Sequence, residues 1–177
     1  SGHYFHCAQH RCLKDSFAGS ALAAGAKYFH RATGIFERNV HSFLYATDFV
    51  RAKLEQGGMP AAKLRHVPLY VDLARFHIAR GTGDYIVYAG RLSPEKGLFT
   101  LLQAMTHLPD TRLRLLGDGP QRGALEARTR DLGLRNIEFA GFLGGEDYAR
   151  ELAGARLLVL PSECYETCGL VIWEANA

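Results

Sequence analysis

The sequence predicts an α/β protein in which a parallel sheet is covered by helices on both faces and is preceded by part of a second α/β domain. Two observations support this fold class. In residues 84–177, short apolar runs alternate with segments whose apolar residues recur at helical spacing. In residues 1–72, the same kinds of segment occur, but the apolar runs are too few to complete a sheet.

The second part of the chain has the more regular pattern. Its predicted strands cover residues 85–89, 112–116, 137–140 and 156–160. Its predicted helices cover residues 98–108, 121–132 and 146–153, and a last helix begins after Gly169. Glu126 and Arg130 have the spacing of an i, i+4 ion pair. This alternation indicates a Rossmann-like sheet, whose ligands bind beyond the carboxyl ends of the strands.

We interpret residues 1–72 as the C-terminal part of a first α/β domain, and residues 73–83 as a linker loosened by glycine. Residues 1–14 are predicted to form an irregular loop. A helix or a broken pair of helices is predicted for residues 16–36, capped by Asp15 or Ser16. Predicted strands at residues 40–46 and 67–71 flank a helix that Thr47 caps and that ends near Gln56.

Composition excludes several classes of protein. With 177 residues, 47% of them hydrophobic, the chain can bury a sizeable core. A net charge of +3 is too small to indicate nucleic-acid binding. The most apolar N-terminal stretch, residues 17–26, is shorter than the roughly 20 residues of a membrane span, and no signal peptide follows Ser1. Because the sequence lacks an initial Met and stops at Ala177 within a predicted helix, we expect a piece of a longer protein.

Four cysteines are too few for a disulfide scaffold, which favours a reducing cytosol. Cys7, His10 and Cys12 could begin a zinc site, but no second ligand pair follows at zinc-finger spacing, so an ordinary polar loop is the alternative. Cys164 and Cys168 are either a thiol pair or small buried side chains, and we favour the second interpretation.

A cationic loop, GRLSPEKG, follows the first predicted strand of the second part. It places Arg91 and Lys96 five residues apart. Fixed cations in this arrangement can neutralise the charge that develops on a leaving diphosphate. Metal-dependent sugar transfer usually relies on two aspartates one residue apart, and the sequence contains no such pair. The loop therefore favours a cationic, metal-free site, and a merely solvated loop is the alternative.

The end of the chain reads as a predicted strand, a polar loop with the sequence SECYETCG at residues 162–169, and a helix start. A helix that begins at the carboxyl end of a parallel strand presents unpaired N–H groups to an anion, here near Thr167 to Leu170. Glu166 lies just before that helix and Glu174 lies within it, so we expect the two carboxylates roughly 8 to 12 Å apart. They suit an elongated ligand with hydroxyls at its ends and phosphate between, although solvated glutamates are the alternative.

A third loop, GDGP, follows the second predicted strand. Gly117 and Gly119, with Gly123 beyond them, resemble a dinucleotide fingerprint whose last spacing is one residue too long. A tight turn is the alternative.

Four motifs occur in the order expected for one family of enzymes: GRLSPEKG, GDGP, IEFAGFL and LPSECYETCGLVIWEANA. Together they resemble the donor-binding domain of retaining glycosyltransferases of family four (group 1), which have the two-domain GT-B fold. The resemblance is strong over residues 84–177. Residues 1–83 are similar, less specifically, to the end of that family's acceptor domain and its linker. The chain departs from many relatives at Thr167 and Cys168, which stand where a Phe or a small residue is common.

The resemblance implies a role for each motif. Arg91 and Lys96 would contact the donor's pyrophosphate, Glu166 the hydroxyls of the transferred sugar, and Glu174 the ribose diol. The resemblance thus makes Glu166, Arg91 and Lys96 the catalytic residues. The wider set of implied donor-binding residues is Gly90, Arg91, Lys96, Gly117, Gly119, Phe142, Leu143, Glu166, Thr167, Cys168, Gly169, Leu170 and Glu174. Phe142 and Leu143 would meet the nucleobase, and N–H groups near Cys168 and Gly169 would hold phosphate. The acceptor-side histidine of the family would lie upstream of Ser1.

The expected function is retaining, metal-independent transfer of a sugar from a nucleoside-diphosphate donor to a glycan, lipid or small-molecule acceptor. The donor is a co-substrate, and no cofactor is expected. We expect no nucleic-acid partner, a cytoplasmic location that extends to the inner face of the membrane, and any peripheral membrane association through a part upstream of Ser1. One alternative is a nicotinamide-dependent Rossmann oxidoreductase, which the Gly117 turn suggests. The other is a non-catalytic nucleotide-sugar binding module.

Overall fold

A computed structural model describes residues 4–13, 15–76 and 83–177. The chain divides into two compact units, Ser1–Pro68 and Leu69–Ala177. The predicted linker at residues 73–83 falls within the second unit, and its residues 77–82 lie outside the described part. Among the described helices, none is both long and apolar enough to span a membrane.

The first unit contains four helices and a two-stranded parallel sheet in its described part. The helices are α1 (Phe5–Gln9), α2 (Phe17–Thr33), α3 (Ile35–Asn39) and α4 (Asp48–Gln56), and the strands are β1 (Phe43–Tyr45) and β2 (Leu64–His66). A single 3₁₀ turn, Ala61–Lys63, leads into β2.

The predicted helix signals in this unit are confirmed. The Ser16 hydroxyl accepts a hydrogen bond from the Gly19 backbone N–H at 3.2 Å and caps α2. Gly34, with a φ of 59°, separates α2 from α3, so the broken pair of helices is the correct alternative. The Thr47 hydroxyl likewise accepts from the Val50 N–H at 3.3 Å and caps α4.

Two predictions in the first unit are wrong. Residues 1–14 are not simply a loop, because α1 forms a turn of helix there; the Tyr4 N–H just before it donates to the Tyr28 hydroxyl of α2 at 2.9 Å. This tertiary contact outweighs the weak local signal. The strand predicted at residues 67–71 is instead β2, which pairs with β1. The Val67 N–H donates to the Tyr45 carbonyl at 2.9 Å, and Pro68 then has no N–H with which to extend the ladder.

The second unit is a four-stranded parallel sheet with strand order β5-β4-β3-β6, as the predicted fold class requires. The strands are β3 (Tyr85–Ala89), β4 (Arg112–Leu116), β5 (Ile137–Gly141) and β6 (Leu157–Leu158). The helices are α5 (Leu98–Met105), α6 (Arg122–Asp131), α7 (Gly145–Ala153) and α8 (Leu170–Ala175). Because β4 and β6 lie on opposite sides of β3, the strand order reverses at β3. In such sheets, ligands bind outside the carboxyl ends of the strands at this reversal.

Both faces of this sheet are covered, and its central strand β3 is accordingly apolar along its whole length. Along β3, Tyr88 points to one face and Val87 to the other. Tyr88 packs with the apolar residues of α5 and with Leu125 of α6, and Val87 packs with Leu152 of α7. Helices α5 and α6 therefore pack on one face of the sheet, and α7 packs on the other.

Two smaller predictions in this unit need correction. Glu126 pairs with Arg122 at 3.0 Å and not with Arg130, because Arg122 sits between Glu126 and Asp118 of the preceding loop, 3.6 Å away. Of the strand predicted at residues 156–160, only Leu157–Leu158 forms β6. Two further backbone bonds to β3 flank it at 2.9 Å, from the Arg156 N–H to the Tyr85 carbonyl and from the Val159 N–H to the Val87 carbonyl.

Candidate functional site

A cleft of about 430 Å³ lies at the carboxyl ends of the parallel strands. Its walls come from the loops after three strands and from the last two helices: Gly90, Arg91, Gly117, Asp118, Phe142, Leu143, Tyr148 and Glu174. The cleft is large enough for a small organic ligand, since ligand pockets usually measure about 300 to 1,000 Å³.

Glycines bring the loops of this cleft into backbone contact. The Gly90 N–H donates to the Leu116 carbonyl at 2.9 Å, and the Gly117 N–H donates to the Gly141 carbonyl at 2.7 Å. A Cβ at Gly117, whose φ is 136°, would lie 1.9 Å from the Gly90 carbonyl oxygen, and one at Gly119 would lie 2.4 Å from that of Leu92. The GDGP segment is thus a turn that needs glycine for close packing between loops.

Lys96 and Glu166 meet across two loops. The Lys96 ammonium donates to Glu166 Oε1 at 2.5 Å, and the Ser162 hydroxyl donates to the same oxygen at 2.7 Å. These bonds, the one from Lys96 first, lower the pKa of the Glu166 carboxyl below its ordinary value. Lys96 thus faces the terminal loop, as a shared site requires, and is not on the opposite rim of the sheet.

The backbone holds these two loops together as well. Gly97, with a φ of 63°, packs so closely that a Cβ would lie 2.1 Å from the Pro161 carbonyl oxygen. The Glu163 N–H donates to the Glu95 carbonyl at 2.9 Å, and the Thr100 hydroxyl donates to the Glu163 carboxylate at 2.7 Å. The two loops that carry Lys96 and Glu166 are therefore held together by hydrogen bonds and close backbone packing, which fixes the positions of both side chains.

Arg91 is exposed and lines the cleft. Within the described residues it forms no ion pair with a carboxylate. Its backbone is fixed by Tyr88, whose buried hydroxyl donates to the Arg91 carbonyl at 2.9 Å. Burial, followed by the nearby charges of Glu166 and Glu95, raises the pKa of Tyr88 to about 12.

Glu174 is partly buried on α8 and lines the same cleft. Its Oε2 accepts a hydrogen bond from the Tyr148 hydroxyl of α7 at 2.6 Å. Burial and this bond raise the pKa of Tyr148 well above its ordinary value, so the phenol stays protonated as a donor. The carboxylate is thus held from the side of α7 by one hydrogen bond.

The terminal loop leaves donors unused. Gly169 is the N-cap of α8, and within the described part of the chain the backbone N–H groups of Cys168 and Gly169 have no protein acceptor. Thr167, Cys168, Gly169 and Leu170 do not line the cleft, and neither do Lys96 and Glu166. Gly119 does not line the cleft either, but packs against the Leu92 backbone. The remaining predicted residues, Gly90, Arg91, Gly117, Phe142, Leu143 and Glu174, do line it.

Three residues of this region were missed from the sequence: Tyr88, Tyr148 and Ser162. Tyr88 lies in an apolar strand and reads from the sequence as a core residue. That its hydroxyl bonds to the Arg91 carbonyl can be seen only in the structure. Ser162 was recognisable as a polar residue just after a strand. Tyr148 lies on a different helix from Glu174, 26 residues away in sequence, and no spacing rule connects them.

The cysteines do not form a site in the described residues. Cys7, Cys12, Cys164 and Cys168 are all free thiols, and no three metal-ligating side chains lie together among the residues that the structure describes. Cys168 is partly buried, but the interpretation of Cys164 as a small buried side chain is wrong. Cys164 is exposed, as are its neighbours Glu163 and Tyr165 in the polar loop.

The Lys96–Glu166 pair predicts a specific acid sensitivity. Because the folded pKa of Glu166 lies below the unfolded value, the stability that the pair contributes is present above about pH 4.5 and is lost as pH falls through the folded pKa. We expect wild type to lose more free energy of unfolding than Glu166→Gln when urea titrations at about pH 6 and about pH 3 are compared. Parallel losses in the two proteins would contradict the pair.

Sequence comparison places the chain among known sugar transferases. A profile of the family "Glycosyl transferases group 1" matches residues 72–177. The GDP-mannose-dependent alpha-(1-6)-phosphatidylinositol dimannoside mannosyltransferase of Mycobacterium tuberculosis is 31% identical over 92% of this chain and 46% of its own length. The sulfoquinovosyl transferase of Arabidopsis thaliana is 37% identical over 51% of this chain and 17% of its own length. The chain thus spans less than half the length of these relatives.

Structural comparison gives the same fold. HepE from Anabaena, in complex with UDP and glucose, superposes with a TM-score of 0.73 at 21% identity, over 82% of this chain and 44% of that one. Sucrose-phosphate synthase from Thermosynechococcus elongatus gives 0.70 at 28% identity, over 80% and 39%. A nicotinamide-dependent oxidoreductase is not favoured. Glu138, the acidic residue of β5, is its second residue and pairs with Arg114 at 2.8 Å at the amino end of the sheet.

Proposed function

Because the chain belongs to the glycosyl transferases group 1 family, we propose that its second unit binds a nucleoside-diphosphate sugar for transfer to an acceptor. The observation that carries the proposal is the pairing of Lys96 with Glu166 beside a cleft at the carboxyl edge of the sheet. A cation and a carboxylate in contact can bind the two halves of such a donor, its diphosphate and its sugar hydroxyls.

The diphosphate would lie between the cationic loop and the start of α8. Arg91 is exposed at the cleft, and Lys96 lies further along the same loop, in contact with Glu166 of the terminal loop. The unused N–H groups of Cys168 and Gly169 add two donors without net charge. These groups would stabilise the negative charge on the departing diphosphate, the work that a metal ion does in other transferases. We therefore propose a metal-independent reaction, with retention of configuration as the family resemblance implies.

Each end of the donor has a proposed partner. Glu166 would accept hydrogen bonds from hydroxyls of the transferred sugar, while Lys96 keeps it charged and Ser162 fixes its orientation. Glu174 would accept from the ribose diol on the other side of α8. Phe142 and Leu143 form an apolar wall of the cleft, against which a nucleobase can pack.

The acceptor is proposed from the relatives. The mycobacterial relative is described as acting on a phosphatidylinositol dimannoside and as GDP-mannose-dependent, which supports a glycan or lipid-linked acceptor and guanosine as one candidate base. UDP, bound in the Anabaena neighbour, is the other candidate that we would test. A lipid-linked acceptor would place the whole protein at the inner face of a membrane. Since the chain covers less than half of that relative, we expect it to bind donor but to transfer sugar poorly by itself.

Thermal shift with a panel of nucleotides tests the proposal. We expect GDP, UDP or their sugars to raise the melting temperature by several degrees at about 100 times Kd, because ligand at that level adds about 2.7 kcal/mol of stability. A shift with NAD and none with any nucleoside diphosphate would contradict the proposal. Sugar transfer by the full-length protein from the donor that binds would then exclude a non-catalytic binding module.

A further inference from the structure

Tyr148 stands outside every motif that identified the site, yet it holds one of the proposed donor-binding carboxylates. Its hydroxyl donates to Glu174 Oε2 at 2.6 Å, and both residues line the cleft. Within the described part of the chain, no other group forms a hydrogen bond with the Glu174 side chain. Oε2 is therefore occupied by the protein, and Oε1 is left for a ligand.

The Tyr148 ring is held in place by apolar packing. Tyr148 packs against the apolar cluster that contains Ala89, Leu116 and Leu152, and its neighbour Ala149 is buried. Val171 of α8 packs against the same cluster, so α7 and α8 are fixed relative to each other at this point. A phenol held in this way defines where the Glu174 carboxylate can lie, because a short hydrogen bond to a charged group is both strong and directional.

We propose that Tyr148 is a positioning residue that fixes Glu174, so that the second carboxylate oxygen accepts from the vicinal hydroxyls of the donor's ribose and the site selects ribose over dideoxyribose. This inference rests on the proposed function. A free glutamate side chain would lose rotamer entropy when it binds a diol, whereas one already held by Tyr148 has lost most of it before the ligand arrives. Loss of the Tyr148 hydroxyl should therefore weaken the binding of nucleotides that carry the ribose diol and should not change the binding of nucleotides that lack it.

Isothermal titration of the full 177-residue chain with a ribonucleoside diphosphate and its 2′,3′-dideoxy counterpart tests the inference. The probes are GDP and UDP, and the one that binds wild type is used. We expect wild type to prefer the ribonucleotide by roughly 10-fold or more, the usual value of a hydrogen bond to a charged group. In Tyr148→Phe, affinity for the ribonucleotide should fall roughly 3- to 10-fold while that for the dideoxynucleotide stays unchanged, so the preference narrows.

Tyr85→Phe is a matched control, because it removes a tyrosine hydroxyl that donates to the Glu151 carbonyl at 2.7 Å, outside the cleft. This variant should keep the wild-type preference. Glu174→Ala, which removes both acceptor oxygens, should lose the preference, and adding Tyr148→Phe to it should cause no further loss, since the two residues act as one unit. A merely structural tyrosine would lower both affinities equally.

Three results would overturn the inference. Tyr148→Phe could keep both wild-type affinities while its melting temperature shows an intact fold, or it could weaken the binding of both ligands by the same factor. If that variant does not fold, a wild-type ratio in Glu174→Ala overturns it instead. Failure of wild type to bind either ribonucleotide is a separate outcome, because it refutes the proposed function itself and the inference with it.

Discussion

Lys96→Ala is expected to weaken binding of the nucleoside diphosphate roughly 30- to 100-fold, about 2 to 3 kcal/mol. Two effects add in this variant. The diphosphate loses a cation. In addition, the Glu166 carboxylate, which accepts from Lys96 at 2.5 Å in wild type, is left next to the diphosphate with no positive charge to compensate its own. Stability should change by less than about 1 kcal/mol, because both side chains of the pair are partly exposed. Calorimetric titration with the nucleotide that binds wild type measures the affinity directly.

Arg128→Ala is the control for this substitution. It removes one positive charge from α6, where the Arg128 guanidinium donates to Gln103 at 3.2 Å, and Arg128 does not line the cleft. Its affinity should match that of wild type. If Lys96→Ala binds as tightly as wild type, or if Arg128→Ala loses as much, then the effect of Lys96 is not local and the proposed diphosphate contact is wrong.

Gly117→Ala is expected to remove both stability and binding. A Cβ at this position would lie 1.9 Å from the Gly90 carbonyl oxygen, and the φ of 136° is unfavourable for any L side chain. Backbone atoms cannot move aside as the end of a side chain can, so we expect a loss of about 3 kcal/mol or more. This corresponds to a fall of roughly 10 °C or more in the melting temperature. Any folded fraction should bind nucleotide weakly, because Gly90 and Gly117 form adjacent walls of the cleft.

The matched control is Gly123→Ala on α6, in the same motif. A Cβ there meets no atom within 4 Å. Alanine favours helix over glycine by about 0.5 to 1 kcal/mol, so this variant should be slightly more stable than wild type and should bind normally. Equal behaviour of the two variants in thermal unfolding would show that close packing between the loops is not what requires Gly117.

The fold of the second unit was predictable because its signals are local. Each strand and helix of this unit can be recognised from a short stretch of sequence. The apolar run of β3 predicts a strand, and the apolar residues of α5 recur at helical spacing: Leu98, Leu101, Leu102 and Met105. Parallel pairing follows from their alternation. The first unit was less predictable, since β1 and β2 are three residues long and the end of their pairing depends on a single proline.

The candidate site was predictable as a set of loops but not as a set of contacts. That Arg91, Lys96, Glu166 and Glu174 follow strands could be seen in the sequence, and strands of one parallel sheet bring such loops to one edge. Lys96 and Glu166 are 70 residues apart, and they meet because of the order of the strands in the sheet. This order could not be derived from the sequence. The partnership of Tyr148 with Glu174 depends on how two helices pack, and it has no sequence signature.

Amide chemical-shift mapping during titration with GDP or UDP tests most directly whether this cleft is the nucleotide site. We expect saturable shifts of the amides of Gly90, Gly117, Cys168 and Gly169, at the carboxyl edge of the sheet. A second, smaller concavity of about 300 Å³ lies at the amino edge and contains Arg112, Arg114 and Arg135, so it offers an alternative place for an anion. Shifts confined to that edge, or the absence of any saturable shift, would contradict the account.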